Sequence, residues 1–396
     1  IQVNGEIYAL VFNGAGTDGY ISTVNITSAG QISNSVLHNV EYNTADGEAP
    51  SIVKVSNEIF AIAHETANNG AGLLETINIS SNGTISSVIS SLNFDSTGTT
   101  LNPKIININS SIYGIVYRGP NADGFISTIN ISSNGTITSS IIDNFEYDSS
   151  DGDSPDIIHI SGNVYAIAYS APGRGDDGYI STLQVLPNGT ITKSVLATYE
   201  FETDRALSPE IIPVSGNVYA ITFDGTSNNG DVSTVKISFD GTSISTFDNI
   251  QFYGGGGLDN PEIIHISGDT YALAFSGSGN DGYLSSIDIA TDNRISKKQA
   301  YHLYTNSTTA FGSINGQTLT EGIVSGWNHL ALIYNKSLSS GQQSLYVNGK
   351  LVSSGTLTED INTNTFNVTI GNNFKGLLDD IAIYNRTLSA EEIKEH

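Results

Sequence analysis

The chain has 396 residues, enough for two or three domains, and its 40 acidic against 15 basic residues give a formal net charge of −25. That charge would repel nucleic acid and anionic membranes, which leaves cations and neutral molecules as partners. The absence of cysteine excludes disulfides, thiolate catalysis and cysteine-ligated metals. Because methionine is also absent, we expect residue 1 to follow processing or to lie within a longer gene product. No apolar run approaches the roughly 18 residues of a membrane helix, so we expect no membrane insertion of this chain.

A repeat dominates the first three quarters of the sequence. Its anchor is an aromatic residue followed by small and β-branched residues, as in VYAIAY at 164–169 and VYAITF at 218–223. Successive anchors are spaced by 52, 53, 52, 54 and 52 residues: Tyr8, Phe60, Tyr113, Tyr165, Tyr219 and Tyr271. So regular a period indicates one supersecondary unit repeated six times.

Each copy contains four runs typical of β-strands, separated by tight turns. In the fourth copy, PDIIHIS at 155–161 precedes VYAIAYS, and the pairs Asp177-Gly178 and Asn188-Gly189 follow. Asn-Gly and Asp-Gly suit the positive φ angles of type I′ hairpin turns. Four antiparallel strands in about 52 residues predict a propeller blade, because β-solenoid repeats are shorter and helical repeats would show a 3.6-residue period.

We therefore predict an all-β protein, with a β-propeller over residues 1–296 and a different domain over residues 297–396. A circle of six blades is our first expectation. The first copy begins inside its first strand, without the proline that precedes this strand in later copies. A seven-bladed circle, completed by sequence outside this chain, is the alternative.

From about residue 297 other motifs replace the repeat. They are Trp327 and His329, the hairpin Tyr346-Val347-Asn348-Gly349, Ile370-Gly371, and Asp379-Asp380 leading into Tyr384-Asn385-Arg386. In this order they resemble the C-terminal half of a LamG-like jelly roll of the concanavalin A-like lectin/glucanase group. The sequence SAEEI also predicts a helix start capped by Ser389.

The resemblance implies a β-sandwich whose first half is not found in this chain. We predict that the missing half precedes residue 1 or is supplied by another chain through strand complementation. A homo-oligomer or polymer formed by jelly-roll completion is therefore expected. The overall character resembles that of archaeal or bacterial surface proteins.

Asn-X-Ser/Thr triplets mark candidate glycosylation sites. Three of them lie at Asn-Gly hairpin tips, where a glycan would not disturb the core, although turn preference alone also explains asparagine there. The full set is Asn25, Asn78, Asn82, Asn109, Asn130, Asn134, Asn188, Asn306, Asn335, Asn367 and Asn385.

Acidic clusters recur in the connections between copies. Oxygen-rich loops suit calcium, which makes five carboxylates candidate ligands: Asp46, Glu48, Asp148, Asp151 and Asp153. Solvated acidic turns are the alternative explanation.

Two further sets of residues recur at equivalent positions. His159 and His265 lie in first strands and would be candidate metal ligands if that strand lined the channel, although a single polar strand face is the alternative. Rings follow the glycine of the second turn in four copies and are expected to pack between blades, with sugar stacking as the alternative: Tyr20, Phe125, Tyr179 and Tyr283.

Catalysis finds no support in local motifs. There is no nucleophilic triad and no phosphate cradle, and the five arginines and missing Asp-box speak against a sialidase-like glycoside hydrolase. We therefore predict a non-enzymatic, extracellular or cell-surface protein that acts in adhesion or self-assembly, as a surface-layer or filament subunit. A carbohydrate-binding, lectin-like module of a larger exported protein is the alternative.

Overall fold

The computed structural model describes residues 1–28, 30–44, 47–66, 70–277, 279, 281–290, 295–297, 301–305, 309–314, 317–323, 326–357 and 386–395. The chain divides into two compact units. The first comprises Ile1–Ser285 with Ile289–Ile295, and the second comprises Ser286–Asp288 with Ser296–His396.

The first unit consists of six four-stranded sheets, which we number as blades 1 to 6. Blades 1 to 3 contain β1 (Gln2–Asn4), β2 (Ile7–Asn13), β3 (Gly19–Asn25), β4 (His38–Asn43), β5 (Glu48–Lys54), β6 (Ile59–Glu65), β7 (Gly72–Ile79), β8 (Ile85–Asp95), β9 (Leu101–Asn109), β10 (Ile112–Arg118), β11 (Gly124–Asn130) and β12 (Asp143–Asp148). Blades 4 to 6 contain β13 (Asp153–Ser161), β14 (Val164–Ala171), β15 (Asp177–Val185), β16 (Ile191–Glu202), β17 (Leu207–Ser215), β18 (Val218–Gly225), β19 (Asn229–Ile237), β20 (Ile244–Tyr253), β21 (Asp259–Ser267), β22 (Thr270–Ser276), β23 (Gly282–Ile289) and β24 (Ile295–Lys297).

Each blade pairs its four strands in chain order. The first strands of blades 2 to 6 contact one another in succession and are therefore the innermost strands. Short 3-10 helices connect second to third strands in four blades: Ala15–Thr17, Pro120–Ala122, Pro172–Arg174 and Thr226–Asn228. The predicted all-β propeller is confirmed.

Aromatic side chains join each blade to the next. A ring on the fourth strand meets, edge to face, a ring on the second strand of the following blade, with centroids 5.3–5.5 Å apart and planes 62–68° apart. This geometry is the preferred one for aromatic pairs. The pairs are Tyr42–His64, Phe94–Tyr117, Tyr147–Tyr169, Phe201–Phe223 and Phe252–Phe275.

The four rings that we expected to pack between blades each stack on a ring of their own blade. Tyr179, for example, lies opposite Tyr169 on the neighbouring strand, with ring centroids 6.0 Å apart. Directly opposed residues on paired strands are close enough for such contact. Tyr20 and Phe125 likewise stack on Phe12 and Tyr117. Tyr283 stacks on Phe275 of its own blade and also lies 5.5 Å from Tyr253 of blade 5, a contact between blades as predicted.

A hydrogen bond also crosses each of four blade boundaries. A buried threonine on the third strand donates to the carbonyl of the turn glycine in the next blade at 2.6–2.7 Å: Thr23 to Gly83, Thr76 to Gly135, Thr128 to Gly189 and Thr182 to Gly241. At Gly189 φ is 87°, and an added Cβ would lie 2.8 Å from Ile142. The positive φ therefore favours glycine at this turn, and any added side chain would also have to displace the end of Ile142.

The second unit contains two three-stranded sheets and a short helix. They are formed by β25 (Tyr301–Thr305), β26 (Thr309–Ile314), β27 (Gln317–Gly322), β28 (Leu330–Tyr334), β29 (Gln343–Val347), β30 (Lys350–Gly355) and α1 (Ala390–Glu395). Strand β26 packs on β28 and β29, and β27 on β29 and β30, so the two sheets form layers of a sandwich. The motifs at 370–371 and 379–385 lie outside the described residues.

Two local predictions in the second unit are confirmed. Asn348 and Gly349 have φ of 51° and 72°, as a type I′ turn requires. Ser389 Oγ accepts the Glu392 N–H at 3.2 Å while the Glu392 carboxylate accepts the Ser389 N–H at 2.8 Å, which is a capping box. No helix among the described residues is long and apolar enough to cross a membrane.

We expect Phe223→Ala to destabilise the propeller by about 3–5 kcal/mol, because it removes a fully buried ring at a blade boundary. The matched control is Phe12→Ala, whose ring occupies the equivalent position of blade 1 but is 41% exposed. Urea unfolding measures both changes. Equal losses in the two variants would contradict the stabilising role of the boundary rings.

Candidate active site

A strained bulge opens the first strand of blades 2 to 6. The residue before the strand's proline has φ between 45° and 49° in every case: Ala49, Asn102, Ser154, Ser208 and Asn260. Non-glycine residues rarely adopt a positive φ, and a following proline further restricts the backbone of the residue before it. Backbone strain of this kind concentrates at functional sites. The start of the first strand in these five blades is therefore a candidate position for a functional site.

The residue directly after each proline is polar or charged. These residues share one register position on the innermost strands: Ser51, Lys104, Asp156, Glu210 and Glu262. We call this set the inner ring. Our sequence analysis missed it, although aligning the repeats on PSIV, PKII, PDII, PEII and PEII would have revealed it.

The inner ring brings distant blades together. Lys104 of blade 3 lies 3.9 Å from the Glu262 carboxylate of blade 6, and their side chains are 40% and 60% exposed. Asp156 and Glu210 belong to the blades between them, and both interact electrostatically with Lys104. One ammonium therefore faces three carboxyl groups in a channel that solvent enters.

Backbone groups of the next blade orient the ring side chains. The Ile211 N–H donates to Asp156 Oδ2 and the Ile263 N–H donates to Glu210 Oε2, each at 2.9 Å. The Ile105 N–H likewise donates to Ser51 Oγ at 3.3 Å. Asp156 and Glu210 are thus each oriented by a main-chain N–H of the following blade.

Burial and like charge shift the ionisation of the ring. Burial, followed by the charges of Glu262 and Asp156, raises the pKa of Glu210 to about 9. Burial also raises the pKa of Asp156, which Lys104 offsets only in part. Burial opposes the charge on Lys104, but the three carboxylates outweigh it and raise the pKa of that amine. Glu210 is therefore protonated at neutral pH, while Lys104 stays charged.

Another carboxyl group with a raised pKa lies where β6 ends. Glu65 is 8% exposed and pairs in register with Glu48. Burial, with the charges of Glu48 and Asp153, raises the pKa of Glu65 to about 7, against a hydrogen bond from the Asn102 backbone. Glu48, at the start of β5, and Asp153, at the start of β13, were predicted as calcium ligands and thus form an acidic group with Glu65.

Asp148 and Asp151, the other described calcium candidates, surround an arginine. Arg174 donates to both oxygens of Asp148 at 3.0 Å, and its Nε lies 3.3 Å from Asp151. Asp151, which is 1% exposed, also accepts the Gly173 N–H. No cluster of three or more metal-ligating side chains occurs in the described part of the chain. The calcium hypothesis is untested, and Asp46 lies outside the described residues.

The sequon asparagines differ in exposure. Asn82, Asn134 and Asn188 are exposed at their turns, where each side-chain oxygen accepts a backbone N–H two residues on at 3.1 Å. Asn109 is exposed as well, whereas four sites are half-buried: Asn25, Asn78, Asn130 and Asn335. Asn306, Asn367 and Asn385 lie outside the described residues.

The two histidines considered as ligands brace their own hairpins. Nε2 of His159 lies 2.9 Å from the Gly162 carbonyl, and Nε2 of His265 lies 2.8 Å from that of Gly268. Each ring also packs on the anchor tyrosine of its blade, with centroids 5.1 Å apart. These contacts explain why histidine recurs at this position.

We expect Arg174→Gln to lower stability by about 1–3 kcal/mol, because Asp148 and Asp151 then lose their charged donor. Lys236→Gln, which removes an exposed cation from blade 5, serves as the control. Thermal melts of both variants and of the unmodified chain are compared with and without EDTA. A fall in the melting temperature of the unmodified chain on chelation would contradict Arg174 as the sufficient cation and support calcium.

The raised pKa of Glu210 predicts a pH-dependent stability. Between its ordinary value of 4.5 and about 9, the folded chain holds a proton that the unfolded chain releases, so this contribution to stability falls as pH rises. We expect Glu210→Gln to flatten the decline in melting temperature over this window. Glu146→Gln, which removes an exposed carboxylate on β12, should leave the decline in melting temperature unchanged. Equal slopes in all three proteins would contradict the shift.

Comparison with known proteins identifies the C-terminal region. Residues 262–394 match the model of the concanavalin A-like lectin/glucanases superfamily, about a third of the chain. The match begins in blade 6, at a residue of the inner ring. No curated protein matches the chain.

Solved structures share the propeller fold. A periplasmic gluconolactonase of Pseudomonas aeruginosa is similar at 11% identity and a TM-score of 0.51, covering 80% of this chain and 95% of its own. Putative 6-phosphogluconolactonases of Bacteroides fragilis (13% identity, TM-score 0.51, 79% and 89% covered) and Bacteroides uniformis (12%, 0.52, 81% and 97%) are also similar. At these identities the likeness shows the fold alone.

The comparison corrects the predicted function. The prediction of a non-enzymatic protein of adhesion or assembly is contradicted, because the three solved proteins named above share the fold and are named as a lactonase or putative lactonases. The prediction considered only groups close together in sequence, whereas the inner ring takes one residue from each of five repeats. The chain combines a propeller of the fold found in lactonases with a concanavalin A-like region.

Proposed function

We propose that the protein is a hydrolase for a neutral sugar-derived lactone, with its active site at the inner ring. The observation that carries the proposal is the meeting of Lys104 with three carboxyl groups, one of which is protonated at neutral pH. Paired acid and base groups whose environments separate their pKa values are the signature of acid–base catalysis.

The ring offers a role for each step of lactone hydrolysis. Glu262, paired with Lys104, accepts a proton from the attacking water. The Lys104 ammonium stabilises the negative charge that develops on the carbonyl oxygen. Glu210 donates its proton to the ring oxygen as the C–O bond breaks. Asp156, held by the Ile211 N–H, sustains the raised pKa of Glu210 by its charge.

Charge also favours one class of substrate. Three carboxyl groups face a single lysine, and the chain as a whole carries a net charge of −25. A phosphorylated lactone would be repelled from such a channel. The proposal therefore concerns a neutral lactone rather than the phosphogluconolactone in the names of two structural neighbours.

We expect hydrolysis of glucono-δ-lactone, followed in a pH-stat above the buffer rate, to fall about 100-fold or more in Glu262→Gln and Glu210→Gln. The rate should also fall as pH rises toward 9, because Glu210 loses its proton. Glu146→Gln should remain fully active. 6-Phosphogluconolactone and aryl glycosides complete the substrate panel.

Three results would count against this function. They are a rate equal to that of buffer on every substrate, full activity in both ring variants, and a preference for the phosphorylated lactone. If aryl glycosides alone are hydrolysed and the ring variants lose this activity, the active site remains at the inner ring. The substrate is then a glycoside rather than a lactone.

An exported location is proposed as well, because a structurally similar lactonase is periplasmic. Extracellular display, glycosylation and completion of the jelly roll by another chain stay predictions from the sequence.

A further inference from the structure

The two outer blades of the series each leave one face uncovered. In blades 1 to 5, one position on the third strand is fully buried against the following blade: Ile21, Leu74, Ile126, Ile180 and Val232 are all 0% exposed. Leu284 occupies this position in blade 6 and is 83% exposed. Ile264 and Ile266 on the first strand of blade 6 are also exposed, at 58% and 53%.

Blade 1 leaves exposed the second-strand positions that the other five blades bury. One position on the second strand of blades 2 to 6 is at most 1% exposed: Ile62, Ile115, Ile167, Ile221 and Leu273. Leu10 occupies it in blade 1 and is 50% exposed. Phe12, equivalent to the boundary rings His64 and Phe223, is 41% exposed and stacks only within its own blade.

The internal boundaries show what covers such faces. The apolar clusters pair the two positions across successive blades, as in Ile21 with Ile62 and Ile180 with Ile221. Leu284 and Leu10 are thus each one half of a blade boundary, and both are exposed. Groups of neighbouring apolar side chains are rarely left exposed to water without a partner.

We propose that a seventh four-stranded blade of the same repeat type fits between blade 6 and blade 1 and closes the propeller. Its second strand presents an aliphatic side chain to Leu284. Its third strand presents another to Leu10, and its fourth strand an aromatic ring to Phe12. The five internal boundaries specify each of these contacts.

The inner ring supplies an independent reason. Asp156 and Glu210 each accept an N–H from the following blade, whereas Lys104 is the partner the described residues give to Glu262. The first strand of a seventh blade would bring the equivalent N–H to Glu262. This inference does not depend on the proposed hydrolase activity.

The test uses single cysteines, which are clean probes because the chain has none of its own. Leu10→Cys, Leu284→Cys and the exposed control Ser194→Cys are each placed in the chain as it stands and in an extended chain. In the extension, a copy of residues 153–211 is joined to Ile1, because Gln2 and Pro213 oppose the anchors Tyr8 and Tyr219 in the same register. A glycine–serine spacer of equal length is the second control.

We expect the added repeat to slow maleimide labelling of both Leu10→Cys and Leu284→Cys at least 10-fold, while the spacer and Ser194→Cys show no change. Light scattering should show a monomer. Leu284→Cys decides the outcome, because a blade tethered to blade 1 protects Leu10 even without reaching blade 6. Ile264→Cys replaces it if that variant fails to fold.

Three results would overturn the proposal. One is unchanged labelling at Leu284→Cys in the extended chain. Another is protection of both cysteines in the dilute unextended chain, since the existing chain then covers these faces itself. The third is protection of the unextended chain that rises with protein concentration, which would assign the faces to a second copy.

Discussion

The boundary between consecutive blades is the interaction on which the rest of the structure depends. Each described apolar cluster draws its residues from two neighbouring blades rather than from one. A blade therefore cannot bury its own faces, and stability arises from stacking, as in repeat proteins generally. The edge-to-face rings and the threonine hydrogen bonds to turn glycines align neighbouring blades. This alignment brings the inner-ring residues of successive blades to the same level.

Three of the described cations lie where carboxyl groups of different blades or connections converge. Arg174 joins β12 of blade 3 to the loop of blade 4, and Arg205 donates to Asp224, which is 3% exposed, at 2.7 Å. Lys104 of blade 3 pairs with Glu262 of blade 6 across the channel. Partly buried pairs of this kind contribute more than exposed ones, because removing one partner leaves a charge without compensation.

The sequence predicted those features that depend on short-range patterns. The spacing of Tyr165 and Tyr219 indicated blades, Asn348-Gly349 indicated a hairpin and Ser389 a helix cap, since each signal lies within a few residues of its effect. Contacts between residues that lie far apart in the sequence were not predicted. Arg174 lies 26 residues from Asp148, so nothing local indicated that an arginine pairs with the carboxylates predicted to bind calcium. The ring residues are about 52 positions apart, and nothing local marks them as neighbours.

The way the inner ring is held bears on how the protein can evolve. The next blade contributes a main-chain N–H to each anchored ring side chain, and serine, aspartate and glutamate all accept it. Any side-chain acceptor satisfies that donor, so exchanges among serine, aspartate and glutamate keep this hydrogen bond. Point mutation in single repeats can therefore exchange acids, bases and neutral groups around the channel independently. The duplicated scaffold thereby separates inheritance of the fold from diversification of its chemistry.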